Sequence, residues 1–404
     1  MYKDFVKISV RSLRKRGLRS WLTMIGIFIG IALFVSLISL GQGLQNAINE
    51  QFDIMGSDKI FIQPLSFGAP GTGNIKFYED DKEVVGSVED IDKFAAWNFR
   101  IGRIEHKDYL MYNYVMGLPT NEEMELIEEF SNYGIEQGRW IRKGDRYKAN
   151  IGWDLANVPN ILGPKTLKTG DKLVIEEQEF EIIGIVTRVG NPSDDRSVFI
   201  SLETFEDLYD VDKEYDFIIA QAKPGVDPEE VASELKRKLR DERDEEEGEE
   251  TFEVQTSENF RESFNDIFAI VQYFVAGLAF ISMLVGGVGI MNTMYTAVLE
   301  RTKEIGIMKA IGARNSDILK MFLIEAGLIG LIGGTIGIII GFSASKFVEF
   351  IIKNVLGFEL LSVRFNIPLM AMVFLFSILF GAVAGVFPAK QASEQKPVDA
   401  LRYE

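Results

Sequence analysis

Four stretches of this chain carry no Asp, Glu, Lys or Arg: residues 20–49, 267–299, 326–345 and 365–389. A hydrocarbon core about 30 Å thick takes about 20 helical residues, and each stretch is long enough to cross it. Helices buried in soluble domains rarely stay uncharged for so long, so four transmembrane helices are expected. Bulk composition hides this. A hydrophobic content of 47% beside 25% charged residues is close to the soluble average, because the apolar residues are concentrated in a few places. The first stretch has a basic flank, but its apolar core over 21–40 exceeds the roughly 7–15 residues of a signal-peptide core. No small-x-small cleavage site follows, so it reads as a retained helix.

Basic residues set the orientation. Lys3, Lys7, Arg11, Arg14, Lys15, Arg16 and Arg19 face only Asp4 before the first stretch, which places the N-terminus in the cytoplasm. Four crossings return the C-terminus to that side. The loop over 300–325 is then cytoplasmic, and residues 41–266 are mainly extracytoplasmic. The short loop over 346–364 is also outside, and its three basic residues conflict mildly with the rule. Residues 41–266 hold 50 acidic and 25 basic side chains, a field that repels nucleic acid and anionic lipid and keeps the segment soluble. There is no Cys, so this segment needs its own apolar core, and thiolate chemistry is excluded.

Residues 2–14 place Tyr2, Val6, Val10 and Leu13 on one helical face and Lys3, Lys7, Arg11 and Arg14 on the other, as in a helix lying on the inner membrane surface. Beyond the first stretch, Leu44, Ile48 and Phe52 continue at four-residue spacing. Phe260, Phe264 and Phe268 do the same before the second. Two stalks with apolar faces are expected, packed on each other, on a second copy, or on the outer domain. Between them the pattern turns to short strands at 59–63, 172–176 with 179–184, 196–200 and 216–220. A helix starts near Asp227 and Pro228 with Val231, Leu235 and Leu239 on one face. The acidic run 241–250 reads as a solvated loop, and 63–74 as a mobile one. The fold class is a membrane protein with four transmembrane α-helices and a large α+β extracytoplasmic domain. The divisions are 1–19 (cytoplasmic amphipathic N-terminal helix), 20–55 (first span and stalk), 56–259 (extracytoplasmic domain) and 260–299 (stalk and second span). There follow 300–315 (cytoplasmic coupling helix), 316–347 (third span), 348–365 (short external loop), 366–389 (fourth span) and 390–404 (cytoplasmic tail).

The segment over 299–314, LERTKEIGIMKAIGAR, follows directly on the second span. Glu300 and Glu304 fall four apart on one helical face, Ile305, Met308 and Ile311 offer apolar contact, and Gly312 suits a left-handed helix end. A short, charged, partly apolar helix between two spans suits contact with a cytoplasmic partner, and it equally suits a solvated turn. The spans carry small residues four apart: Gly26/Gly30, Ser282/Gly286, Gly330/Gly334, Gly337/Gly341 and Gly381/Gly385. Such spacings let helix backbones approach closely in a bilayer. None of the spans is expected to hold a charged residue, so no ion relay through the membrane centre is expected. His106 is the only histidine, so multi-histidine metal sites and His-dependent triads are excluded. Asp194 and Asp195 are carboxylates of the kind that pair by chance. No catalytic, cofactor or metal residues are assigned.

The segment over 299–314 closely resembles the coupling loop of FtsX-like, MacB-type ABC transporter permeases, the type VII or mechanotransmission class. Residues 19–30 resemble the family's first span. The motifs at 56–60 (GSDKI), 138–140 (GRW) and 170–173 (GDKL) resemble its outer-domain landmarks, and 388–392 with 397–402 resemble its C-terminal signature. The resemblance implies a porter-like βαβ part built from both flanks of the outer domain, with an inserted Sabre-like β-rich part. It also implies a dimer, of two identical or two related chains, docked on cytoplasmic ABC ATPase subunits through Glu300, Arg301, Glu304, Ile305, Gly306, Lys309, Gly312 and Ala313. Gly26, Gly30, Ser282, Gly286, Gly337 and Gly341 are taken as helix-packing positions. No Gly-x-x-x-x-Gly-Lys-Ser/Thr phosphate loop is present, so ATP and Mg are expected on a separate partner, and this chain is expected to be non-catalytic. The expected function is that of a permease subunit in the cell membrane, coupling ATP binding and hydrolysis to movement of the outer domain and export of a substrate, with an extracytoplasmic partner as a further expectation. The alternatives are an FtsX-like transmitter regulating an external enzyme, and a stand-alone receptor or adhesin with no ATPase.

Overall fold

A computed structural model describes residues 17–65 and 75–402. In chain order it begins with α1 (Gly17–Met55), β1 (Lys59–Pro64), β2 (Phe77–Tyr78), α2 (Glu79–Gly86), β3 (Ile91–His106) and β4 (Tyr109–Leu118). There follow α3 (Glu123–Ser131), β5 (Ile135–Gly138), β6 (Lys148–Ile151), α4 (Trp153–Asn157), β7 (Lys172–Ile175), β8 (Gln178–Val186) and α5 (Pro192–Asp195). Next come β9 (Val198–Ser201), α6 (Leu202–Tyr209), β10 (Glu214–Tyr215), β11 (Phe217–Ala222), α7 (Pro228–Glu242) and β12 (Phe252–Thr256). The chain then runs through α8 (Ser257–Glu300), α9 (Thr302–Ala310), α10 (Asn315–Ile351), α11 (Ile367–Ala384), α12 (Val386–Glu394) and α13 (Pro397–Arg402). Contacts divide the chain into a helical unit (up to 45, 266–351 and from 362) and a β-rich unit (46–265 with 352–361). The amphipathic helix expected over 2–14 lies outside the described residues, as does most of the loop over 63–74. Gln63 and Pro64 belong to β1.

In the helical unit, α1, α8, α10 and α11 are long and apolar enough to cross a membrane. Their shared core includes Ile27, Ile31 and Val35 from α1, Ile290 and Met294 from α8, Phe322 and Ile329 from α10, and Met370 and Val373 from α11. The helices meet where side chains are smallest. A Cβ added to Gly26 would lie 3.1 Å from the Cα of Gly286, and one added to Gly30 would lie 3.0 Å from the Cβ of Ser282. Gly337 and Gly341 face Ile31 and Ala32 of α1, while Gly330 and Gly334 face Ser377 and Gly381 of α11. With no hydrophobic preference for protein over lipid, such backbone approach supplies the packing. All these spacings are used between helices of one chain.

The fourth span was expected to reach residue 389, but α11 ends at Ala384. In a continuous helix the ring of Pro388 would clash with the carbonyl of residue 384, so the helix stops and α12 restarts with Pro388 in its first turn. The third helix passes its expected end at 347 and closes at Ile351 in a π-helical turn, Ile352–Leu356.

The flanks of the β-rich unit form a four-stranded antiparallel sheet in the order β12-β1-β11-β3. With α2 between β1 and β3, and α7 between β11 and β12, this is a ferredoxin-like βαββαβ layer. Side chains alternate along the strands. Ile60, Ile62, Ile218 and Ala220 pack under Val85, Leu235 and Leu239 of α2 and α7. Phe61, Ala95, Trp97 and Ile219 point to the other face. There Phe52 of α1 meets Phe260 and Phe264 of α8, with ring centroids 5.7 and 6.3 Å away, and Phe260 lies 5.4 Å from Phe61. The two stalk faces therefore pack both on each other and on the sheet.

The middle part is inserted between β3 and β11. β3 belongs to both parts: its first half pairs with β11 and its second half with β4. β4 continues the sheet through β9, β6, β8 and β5 over a core that includes Ile104, Val115, Ile151, Phe180 and Ile182. The expected hairpin is β7–β8, turning at Glu176 and Glu177 with φ of 45° and 69°, as a type I′ turn requires. The acidic run 241–250 is mostly exposed, as expected of a solvated loop, but parts of it are ordered. α7 includes its first two residues, the Glu245 carboxylate accepts the Thr251 amide at 2.9 Å, and buried Glu250 accepts the Gly248 amide at 3.0 Å. These carboxylates satisfy backbone donors that the turn would otherwise leave open.

Candidate functional site

The segment over 300–315 forms α9, braced on several sides. α8 ends at Glu300, and Arg301 (φ −110°, ψ 15°) breaks the helix before α9 begins. Glu300 and Glu304 therefore stand on two helices, correcting the expectation of one shared face. The Thr302 hydroxyl, 3.1 and 3.0 Å from the carbonyls of Val298 and Leu299, satisfies the end of α8 at the break.

Arg301 is the hinge pin. Its Nη1 donates to Glu325 and its Nε to Glu304, both at 3.0 Å, and its guanidinium lies 5.7 Å from the Phe322 ring centroid. Glu325 is fully buried, on α10. A buried carboxylate is tolerated only with charge-assisted partners, so this pair fixes the start of α9 against the third helix. Beyond it, Ile305 and Gly306 are buried, and Ile305 belongs to the core of the helical unit. Met308 and Ala313 pack against that core. Lys309 Nζ donates to the carbonyls of Ser393 and Gln395 at 2.5 and 2.7 Å, at the end of α12. α13 packs along α9 and buries Ala400. Gly312 follows α9 with φ 105°, a left-handed position that suits glycine, and α10 starts three residues later.

The exposed residues of the segment are Glu300, Lys303, Glu304, Ile307, Ala310, Ile311, Gly312, Arg314 and Asn315. Ile307 and Ile311 are 53% and 81% exposed, one helical turn apart. The structure thus divides the residues singled out from the sequence. Glu300, Glu304 and Gly312 are at the surface, and Arg301 reaches inward. Ile305, Gly306 and Lys309 hold the segment in place. Ile307 and Glu325 were not singled out from the sequence, and Ile311 was noted there only as apolar contact area. The spans were expected to hold no charge, and Glu325, buried within the third helix and paired with Arg301, corrects that.

The outer-domain motifs are structural turns and braces. Lys59 is 1% exposed, its ammonium held by Asp58 and Glu129 at 2.9 and 3.0 Å. After Gly138, the Arg139 guanidinium grips Asp145 at 2.6 and 3.0 Å and holds its carboxyl well below the usual carboxylate range. Asp171 accepts the Lys168 amide at 2.8 Å beside Gly170. His106 packs with Nδ1 2.8 Å from the Lys172 carbonyl. The loop after the third helix lies on the middle part: Glu359 pairs with Arg188 at 2.6 Å, its amide donates to Gly190 at 3.1 Å, and Arg196 reaches the Leu356 carbonyl at 3.3 Å.

Residues 20–238 match the MacB-like periplasmic core domain, and residues 276–397 match the FtsX-like permease C-terminal domain. An uncharacterized ABC transporter permease of Methanocaldococcus jannaschii is 34% identical over 99% of this chain and 98% of its own length. The uncharacterized ABC transporter permease YknZ of Bacillus subtilis is 27% identical over 99% of this chain and 98% of its own. The macrolide export ATP-binding/permease protein MacB of Brucella melitensis is 28% identical over 99% of this chain, which spans 60% of that relative. With its four apolar helices and β-rich extracellular domain, the chain belongs to the MacB-like, FtsX-like family of ABC transporter permeases of the cell membrane.

Proposed function

We propose that this chain is the membrane subunit of an ABC transporter whose ATP is bound and hydrolysed on a separate cytoplasmic polypeptide. Two copies act together, with both termini and α9 in the cytoplasm and residues 41–266 mainly outside, and movement of the outer domain drives export of a substrate. The observation that carries this reading is the mounting of α9. Its inner side is fixed by the Arg301–Glu325 pair, by buried Ile305 and by Lys309 on the tail carbonyls. Its outer side presents Glu304, Ile307 and Ile311. A helix so braced transmits a push to the membrane helices instead of absorbing it. That the chain spans 98% of two relatives named as ABC transporter permeases supports a separate ATPase. The segment 357–361 bound to Arg188, Gly190 and Arg196 supports a route for movement into the outer domain.

The test is copurification and coupled ATPase activity after reconstitution with the candidate ATPase. Ile311→Asp should abolish association, and Glu304→Ala with Gly312→Val should uncouple ATPase activity from transport. Each variant should keep the wild-type helical content. Unchanged association and coupling in both variants would overturn the proposal.

A further inference from the structure

Within the β-rich unit, a cavity of about 600 Å³ opens between the sheet face and α3. That size lies within the range of small-molecule sites, about 300–1,000 Å³. Its wall is aromatic: Trp97, Phe99, Tyr114, Phe130, Tyr133 and Phe217 line it. Rings this dense in one cavity bind flat or bulky apolar groups and attract cations to their faces.

The charges around the cavity are unbalanced. Asp216 is paired with Lys76 at 2.5 Å and also with Arg100. Asp194 and Glu253 also line the cavity, and among the described residues neither has a salt bridge. Asp194 receives only neutral donors, Asn191 at 3.1 Å and the Tyr133 hydroxyl. Burial pushes its carboxyl up to about 6, as a carboxylate lacking a counter-ion should behave. Its neighbour Asp195 is occupied, accepting the amides of Val189 and Gly190 at 2.8 and 2.9 Å.

We infer that this cavity binds an amphipathic organic cation, its apolar groups against Trp97, Tyr114 and Phe130 and its charge toward Asp194. The site lies within one chain and requires no ATPase, so its failure would leave the proposed function untouched.

The probe is tetraphenylphosphonium, with tetraphenylborate as a counterpart of the same shape and opposite charge. Equilibrium dialysis uses the full-length chain in lipid nanodiscs, with empty nanodiscs subtracted. Saturable binding of one tetraphenylphosphonium per chain is expected, and no saturable binding of tetraphenylborate. Asp194→Asn should weaken the cation about tenfold, as loss of one partly desolvated charge contact implies. Tyr114→Leu, which alters the aromatic wall without touching the acid, should weaken it as well. Equal retention of both ions, or unchanged affinity in Asp194→Asn, would overturn the inference, as would the absence of saturable binding.

Discussion

Removing Arg301 should destabilise the helical unit more than neutralising the acid it serves. The Glu325 side chain is 1% exposed and Arg301 13%, and they are 3.0 Å apart. Arg301→Met takes the guanidinium from a carboxylate enclosed by core residues, a loss of about 3–5 kcal/mol for a broken buried pair. Glu325→Gln keeps shape and hydrogen-bonding capacity, and Arg301 retains Glu304 at 3.0 Å and the Phe322 face. That change should cost only about 1–2 kcal/mol. Once the buried charge is gone, removing the guanidinium does less harm, so the double variant should be about 2 kcal/mol more stable than the sum of the single losses predicts. The assay is unfolding of the full-length protein in mixed micelles with increasing sodium dodecyl sulfate, followed by circular dichroism. Equal losses in the two single variants, or strict additivity in the double, would refute the claim that the pair holds α9 to the third helix.

Two further outcomes follow from the same geometry. Gly381→Val places side-chain atoms within 3 Å of the Gly330 backbone and should cost about 2 kcal/mol by forcing α10 and α11 apart, whereas the same change at Gly277, which has nothing within 4 Å, should be far milder; unfolding in micelles distinguishes them. The Asp194 carboxyl, raised to about 6 by burial, holds its proton more tightly folded than unfolded, so its contribution to stability falls as pH rises from the ordinary carboxylate value through about 6. Asp194→Asn should therefore raise the melting temperature relative to the wild type at pH 7.5, with the gain vanishing near pH 4; a gain independent of pH would contradict this.

How much of this was legible depended on whether a residue's partner lay nearby in sequence. The four spans were readable because lipid imposes one rule on every residue of a stretch, and the Glu176–Glu177 hairpin and the Asp227 cap because their signals are local. The β3–β4 hairpin, with nine paired positions, escaped because Arg100, Arg103 and Glu105 interrupt its alternation. Arg100 is accommodated by Asp216, remote in sequence, while Arg103 and Glu105 pair with each other two positions apart. The end of α11 at Ala384 was written in Pro388, four residues on, and reading the apolar run alone missed it. At α9 the motif located the segment but could not separate its outer side from its inner one. Gly306 and Ile305 face inward because Arg301 turns the chain toward Glu325, 24 positions away. Lys309 is occupied because the tail returns 84 residues later to offer its carbonyls. A surface meant to receive force must be braced from behind, and bracing is by nature long-range. The residues that make α9 capable of transmitting a push are therefore those that a linear motif is least able to distinguish from residues that make contact.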